Sequence, residues 1–136
     1  MRVESAIKDN FLKLKKKKIN SALLDSEILM SKAINKNREF IILNLQQELN
    51  KDDYFYFKEL INERSKGKPI AYLTGKKSFW KYDFEINENV LIPRPDTEIL
   101  VEQVLNIYKN KRNLNLLDIG SGSGCILLSI LKEKKH

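Results

Sequence analysis

Gly120, Gly122 and Gly124 stand at alternate positions in Leu116-Leu117-Asp118-Ile119-Gly120-Ser121-Gly122-Ser123-Gly124, directly behind an apolar run. Few local patterns restrict a fold more. Glycine at these positions lets the backbone turn tightly and approach a ligand without a Cβ in the way. Leu114–Ile119 is expected as a buried strand, Gly120–Gly124 as a loop, and Cys125–Lys135 as a helix whose first N–H groups can face an anionic group. A strand, a glycine loop and a helix make the first half of a βαβ unit, the start of a Rossmann-like α/β layer. Spacing then narrows the ligand. A dinucleotide fingerprint needs glycine at the third place after the second glycine, but Cys125 stands there. A P-loop ends in Gly-Lys-Ser/Thr, and no lysine follows the glycines. What remains is G-x-G-x-G with Asp118 two places ahead, or an ordinary strand-to-helix glycine turn.

Upstream of this loop the periodicity changes twice. Up to about Gly67 it is helical: Ile7, Phe11 and Leu14 fall on one face, and Asn20 or Ser21 can cap a second helix. In that helix Leu23, Leu24, Ile28, Met30 and Ile34 share a broad apolar face, with Asp25, Lys32 and Asn35 as polar punctuation. A short piece follows at Arg38–Leu45. A further helix is expected from near Asp52, with Phe57, Leu60 and Ile61 inward, ending at Gly67 before Pro69. These stripes predict a small helical bundle. The period becomes 2 in Phe79–Ile86, with Trp80, Tyr82, Phe84 and Ile86 on one side of a strand and Lys81, Asp83 and Glu85 on the other. Asn87–Asn89 is then the turn and Val90–Ile92 the returning strand. Pro95 suits the first turn of the next helix, where Asp96 and Glu98 complement the dipole. That helix carries a Leu100–Val104–Ile107 seam with Val101, Leu105 and Tyr108 beside it. A polar linker, Lys109–Asn113, leads to the glycine loop.

Composition removes several classes. The 136 residues include one Cys and one His, too few for a disulfide framework or a structural zinc site, and a reducing cytoplasm is the expected setting. Cys125 is read as a small packing residue, Trp80 as hairpin core, and His136 as a loose end. No apolar run is long enough to cross a bilayer, and Met-Arg-Val-Glu-Ser has no apolar signal-peptide core behind it. The net charge of +7 is concentrated: residues 1–20 hold seven basic and two acidic side chains, with Lys15–Lys18 unbroken. Such a run is a solvated helix face first and a contact for RNA or the ribosome second. Lysine outnumbers arginine 20 to 5, which weakens the case for a specific phosphate grip.

The glycine loop with Asp118 resembles motif I of the class I S-adenosylmethionine-dependent methyltransferases. Two further stretches sharpen that likeness: Gly67-Lys68-Pro69-Ile70-Ala71-Tyr72-Leu73-Thr74-Gly75 with Phe79-Trp80, and Val90-Leu91-Ile92-Pro93-Arg94-Pro95-Asp96-Thr97-Glu98. With Asp25-Ser26-Glu27-Ile28-Leu29 they resemble the release-factor glutamine methyltransferases, the HemK/PrmC family, over nearly the whole chain. The resemblance implies a helical release-factor-recognition domain at 1–75, a β-hairpin linker at 76–93, and at 94–136 the start of an S-adenosylmethionine-dependent α/β domain. It implies methyl transfer to the side-chain nitrogen of the glutamine in the Gly-Gly-Gln motif of class I peptide-chain release factors. Asp118, Gly120, Ser121, Gly122, Ser123 and Gly124 match the cofactor loop, and Arg94 and Thr97 match a PRPxTE element beside the cofactor. The family's Asn-Pro-Pro-Tyr signature is absent, since the prolines stand singly at 69, 93 and 95. The acidic residue that would bind the ribose about twenty residues after the loop is also missing. The expectation is therefore the N-terminal portion of such an enzyme, inactive alone, with no catalytic residue and no metal ligand. Two alternatives stay open: a non-enzymatic basic helical module binding a release factor or RNA, and the N-terminal part of a bifunctional methyltransferase.

Overall fold

A computed structural model describes every residue except Arg112, Lys135 and His136. The expected end of the last helix at Lys135 and the loose end at His136 lie outside the described residues. The chain divides into two compact units, Met1–Thr74 and the part from Gly75 onward.

The first unit is all helix: α1 (Val3–Lys16), α2 (Ala22–Ala33), α3 (Arg38–Leu43), α4 (Lys51–Ser65) and α5 (Ile70–Thr74). Local chemistry starts the helices where the pattern requires. Asn37 and Asn50 accept hydrogen bonds from the backbone N–H groups of Phe40 and Asp53, satisfying donors that the first turn leaves free. At the far ends the chain reverses through left-handed Lys18, Asn35 and Gly67, at φ 60°, 53° and 101°. Leu14, Leu29, Met30, Ile41, Phe57 and Ile61 form the centre of one core. The N-terminus is tied down by backbone bonds Val3 N–H to Gln47 and Leu49 N–H to Met1.

One helix face differs from expectation. Leu23 and Leu24 are 52% and 43% exposed, and the inward residues of α2 are Ala22, Asp25, Ser26, Leu29, Met30 and Ala33. Small side chains let the neighbouring helices approach closely, which leaves the two leucines at the flanks. Asp25 is inward because Arg64 of α4 meets it there, Nε to Oδ2 at 2.7 Å. Ser21 Oγ donates to the same oxygen at 3.0 Å, and Arg64 also donates to the Lys68 carbonyl at 3.1 Å. Two residues further along, Glu27 pairs with Arg38 of α3 at 2.7 Å.

The second unit has a hairpin, β1 (Lys76–Phe79) with β2 (Tyr82–Glu85), then a single 3-10 turn at Pro95–Thr97, α6 (Glu98–Ile107) and α7 (Cys125–Glu133). The hairpin turns at Trp80–Lys81, not at Asn87–Asn89, and Val90–Ile92 is not a strand. Register pairs Lys76 with Glu85 and Phe79 with Tyr82, and Ile86 N–H continues to the Gly75 carbonyl. Tyr82, Phe84 and Ile86 alternate with Asp83 and Glu85 as expected, but Trp80 lies in the turn with φ 56°. Buried Phe79 and Phe84 meet edge-on, 6.2 Å between centroids at 75°.

Two more expectations fail. The inward seam of α6 is Val101, Val104, Leu105 and Tyr108, spaced i, i+3, i+4, i+7, while Leu100 and Ile107 are 49% and 71% exposed. Leu114–Ile119 is neither strand nor buried, with Leu117 86% and Ile119 88% exposed. A strand exists through its ladder, and among the described residues none lies beside this segment to supply one. The described residues of 94–136 thus show a 3-10 turn, two helices and a glycine loop, and the start of a Rossmann-like layer is not confirmed.

Candidate functional site

The glycine loop is built by backbone geometry. Gly120, Gly122 and Gly124 all have positive φ, at 78°, 56° and 74°, a region that side chains with a Cβ avoid. Gly124 N–H donates to the Ser121 carbonyl at 2.8 Å, closing a tight turn, and Leu128 N–H donates back to Gly124 at 2.9 Å as α7 begins. A Cβ at Gly120 or Gly122 would meet nothing within 4 Å, so these two positions border open space. At Gly124 it would sit 3.3 Å from Leu128 Cδ1, so loop and helix are packed closely there. Cys125 is buried as the first residue of α7.

Two side-chain oxygens in the loop region are unmatched among the described residues. Asp118 Oδ2 and Ser123 Oγ are buried without a hydrogen-bond partner, and Ser121 is exposed. No side chain caps α7, whose first-turn N–H groups therefore carry the positive end of the helix dipole. The loop region thus carries an acceptor without a donor, ahead of a helix start whose N–H groups no cap side chain satisfies. Arg94 and Thr97 lie at the entrance to α6, where Thr97 N–H donates to the Arg94 carbonyl at 3.1 Å. Among the described residues, no hydrogen bond or ion pair joins either to the loop. No group of His, Cys, Asp and Glu among those residues could hold a metal ion, and no helix is long and apolar enough to cross a membrane.

Sequence reasoning missed the carboxylates that grip the hairpin turn. Glu98 Oε1 accepts from Trp80 N–H at 2.9 Å. Glu133, in the last turn of α7, accepts from Lys81 Nζ at 2.8 Å, Tyr82 OH at 3.0 Å and Trp80 Nε1 at 3.3 Å. Lys132 adds its ammonium 4.3 Å above the Tyr82 ring. The one available signal was an acidic residue where the helix dipole disfavours it. The Lys81 ammonium and then the Tyr82 hydroxyl hold the Glu133 carboxyl below its ordinary value of 4.5. A lowered carboxyl stabilises the fold above 4.5, and that contribution is lost as pH falls through the lower folded value. Trp80 fluorescence is therefore expected to report loosening of the hairpin on acidification below about 4.5, and Glu133→Gln to remove that step.

The family described as PrmC N-terminal domain matches residues 5–75, more than half of the chain. The chain belongs to the release-factor glutamine methyltransferase (PrmC) family. Among its relatives is a release factor glutamine methyltransferase of Leptospira interrogans, 48% identical over 123 residues, covering 90% of this chain and 43% of the relative. One from Shewanella oneidensis is 39% identical over 114 residues, covering 84% and 40%. A bifunctional methyltransferase of Rickettsia conorii is 35% identical over 155 aligned residues, covering 96% and 30%. The chain thus spans less than half the length of these curated relatives. The PrmC match falls on the helical unit, including the Asp25–Arg64 and Glu27–Arg38 pairs.

Proposed function

We propose that this chain is the N-terminal part of a cytoplasmic enzyme that transfers a methyl group from S-adenosylmethionine to the side-chain amide nitrogen of a release-factor glutamine, in the Gly-Gly-Gln motif. The helical segment at 1–75 serves release-factor recognition, 76–93 links, and 94–136 begins the cofactor domain. The observation that carries this reading is the 48% identity to a release factor glutamine methyltransferase over 90% of the chain, which takes in both units. The loop supports it chemically. S-adenosylmethionine ends in an ammonium and a carboxylate, and the unpartnered Asp118 oxygen suits the first while the N–H groups opening α7 suit the second. Gly120 and Gly122 leave space for close backbone approach, Ser121 and Ser123 supply hydroxyls, and Arg94 and Thr97 are proposed at the cofactor's flank. When bound, the cofactor supplies an electrophilic methyl group. An asparagine and a backbone carbonyl of the family's Asn-Pro-Pro-Tyr would orient the amide, and these 136 residues contain no such motif.

The expected result has two parts. Incubated with S-adenosylmethionine and a release factor, the chain yields no methylated glutamine by mass spectrometry. Titration with S-adenosylmethionine alone shifts the backbone amide NMR signals of Asp118–Cys125 at high ligand concentration. Shifts centred elsewhere, or tight stoichiometric binding by calorimetry, would contradict the assignment.

A further inference from the structure

We propose that the turn between α1 and α2 binds the phosphate backbone of single-stranded nucleic acid through Lys15, Lys16, Lys17 and Lys18. All four side chains are exposed, and among the described residues none of them is in an ion pair. Two carboxylates of α2 and α4 are already engaged by other partners. At this end of the bundle α2 and α4 meet at Asp25, whose carboxylate is occupied by Arg64 and Ser21. Glu63 of α4 is taken by Lys66 at 2.6 Å. Beside the lysines lies a concavity of about 350 Å³ lined by Phe11, Lys15, Lys18, Ile19, Asn20 and Ala22, with the Lys15 ammonium 5.6 Å from the Phe11 ring centroid.

Helix stability alone does not account for the run. Cations at the end of α1 complement its dipole, but that effect fades within the last turn, and Lys17 and Lys18 lie past the helix. Lys18 moreover occupies a left-handed position, where the ends of α2 and α4 place Asn35 and Gly67. A side chain with a Cβ is strained there, so lysine at this position runs against the local backbone preference. The composition of the patch selects its partner. Protein interfaces are depleted of lysine and anchored by aromatic and arginine residues, whereas phosphates accept lysine as a point charge. Here four lysines stand together, and Phe11, which lines the same concavity, is half-buried. Such a surface reads charge, without base or sugar discrimination.

The test is fluorescence anisotropy of the full chain with labelled oligouridylate and oligothymidylate of about 20 nucleotides. Four phosphate contacts predict an affinity falling about 50-fold between about 50 and 200 mM KCl, equally for both probes. Replacing Lys15–Lys18 together by glutamine is expected to weaken binding at least about tenfold at low salt and flatten the salt response. A control with Lys51, Lys58, Lys109 and Lys111 replaced by glutamine, at the same net charge, keeps the parental affinity. Lys18→Gly separates binding from folding: it relieves the left-handed strain, so the melting temperature rises while affinity falls about two- to threefold. Absent binding at low salt, a flat salt response, or equal loss in the control would overturn the proposal. So would preference for one sugar type, or tighter binding to polyglutamate or phosphatidylserine vesicles.

Discussion

Replacing Phe57 by alanine is expected to destabilise the helical unit by about 4 kcal/mol, the largest effect of any single truncation in it. Phe57 is fully buried at the centre of the cluster containing Leu14, Leu29, Met30, Ile41 and Ile61. Removing its ring loses transfer free energy and leaves a cavity that helices held by caps and ion pairs fill incompletely. A unit of this size has only a few kcal/mol to lose. Urea unfolding followed by circular dichroism at the helical minimum should show a main transition moved to much lower denaturant. Phe55, two positions away and 66% exposed, provides the control: Phe55→Ala is expected to change stability by less than about 0.5 kcal/mol.

Asp25→Ala comes next, at about 3 kcal/mol. The substitution removes the acceptor of Arg64 and Ser21 and strands a guanidinium whose side chain is 18% exposed, against 5% for Asp25. Breaking one partner of a buried pair leaves the other charge uncompensated, which is why the loss exceeds that of an exposed ion pair. Glu63→Ala, at the exposed Lys66 pair, is expected to be near neutral by comparison. Hydrogen exchange would locate the damage, with Asp25→Ala lowering protection at the start of α2 and the end of α4 together. If Asp25→Ala unfolds no more easily than Glu63→Ala, the pair is not structural.

Much of this was legible in the sequence because helices announce themselves locally. The positions of Phe57, Leu60 and Ile61 and the stop at Gly67 follow from spacing, but the caps do not: Ser21 stands before α2 without a side-chain cap bond, and the capping side chains are Asn37 and Asn50. The other failures are non-local. Asp25 looked like surface punctuation because its partner lies 39 residues away. The hairpin turn was hidden because Trp80-Lys81 lacks the Gly, Asn or Asp that two-residue turns favour. It is held from outside by Glu98 and Glu133. Leu114–Ile119 has the composition of a strand, but strand character belongs to a pair of segments, and composition describes only one. Of the candidate site, the three positive-φ glycines were readable from residue type, whereas the unpartnered oxygens of Asp118 and Ser123 required coordinates.

Asp25 and Glu27 stand two residues apart on α2, yet one is bound to α4 and the other to α3. The middle helix therefore works like a crossbar bolted to both uprights within half a turn. Changes at Arg38 and Arg64 should not act independently, because each loosens the seat from which the other is held. Over evolutionary time, such a crossbar would force distant arginines to drift in step with a pentapeptide that neither adjoins in the chain.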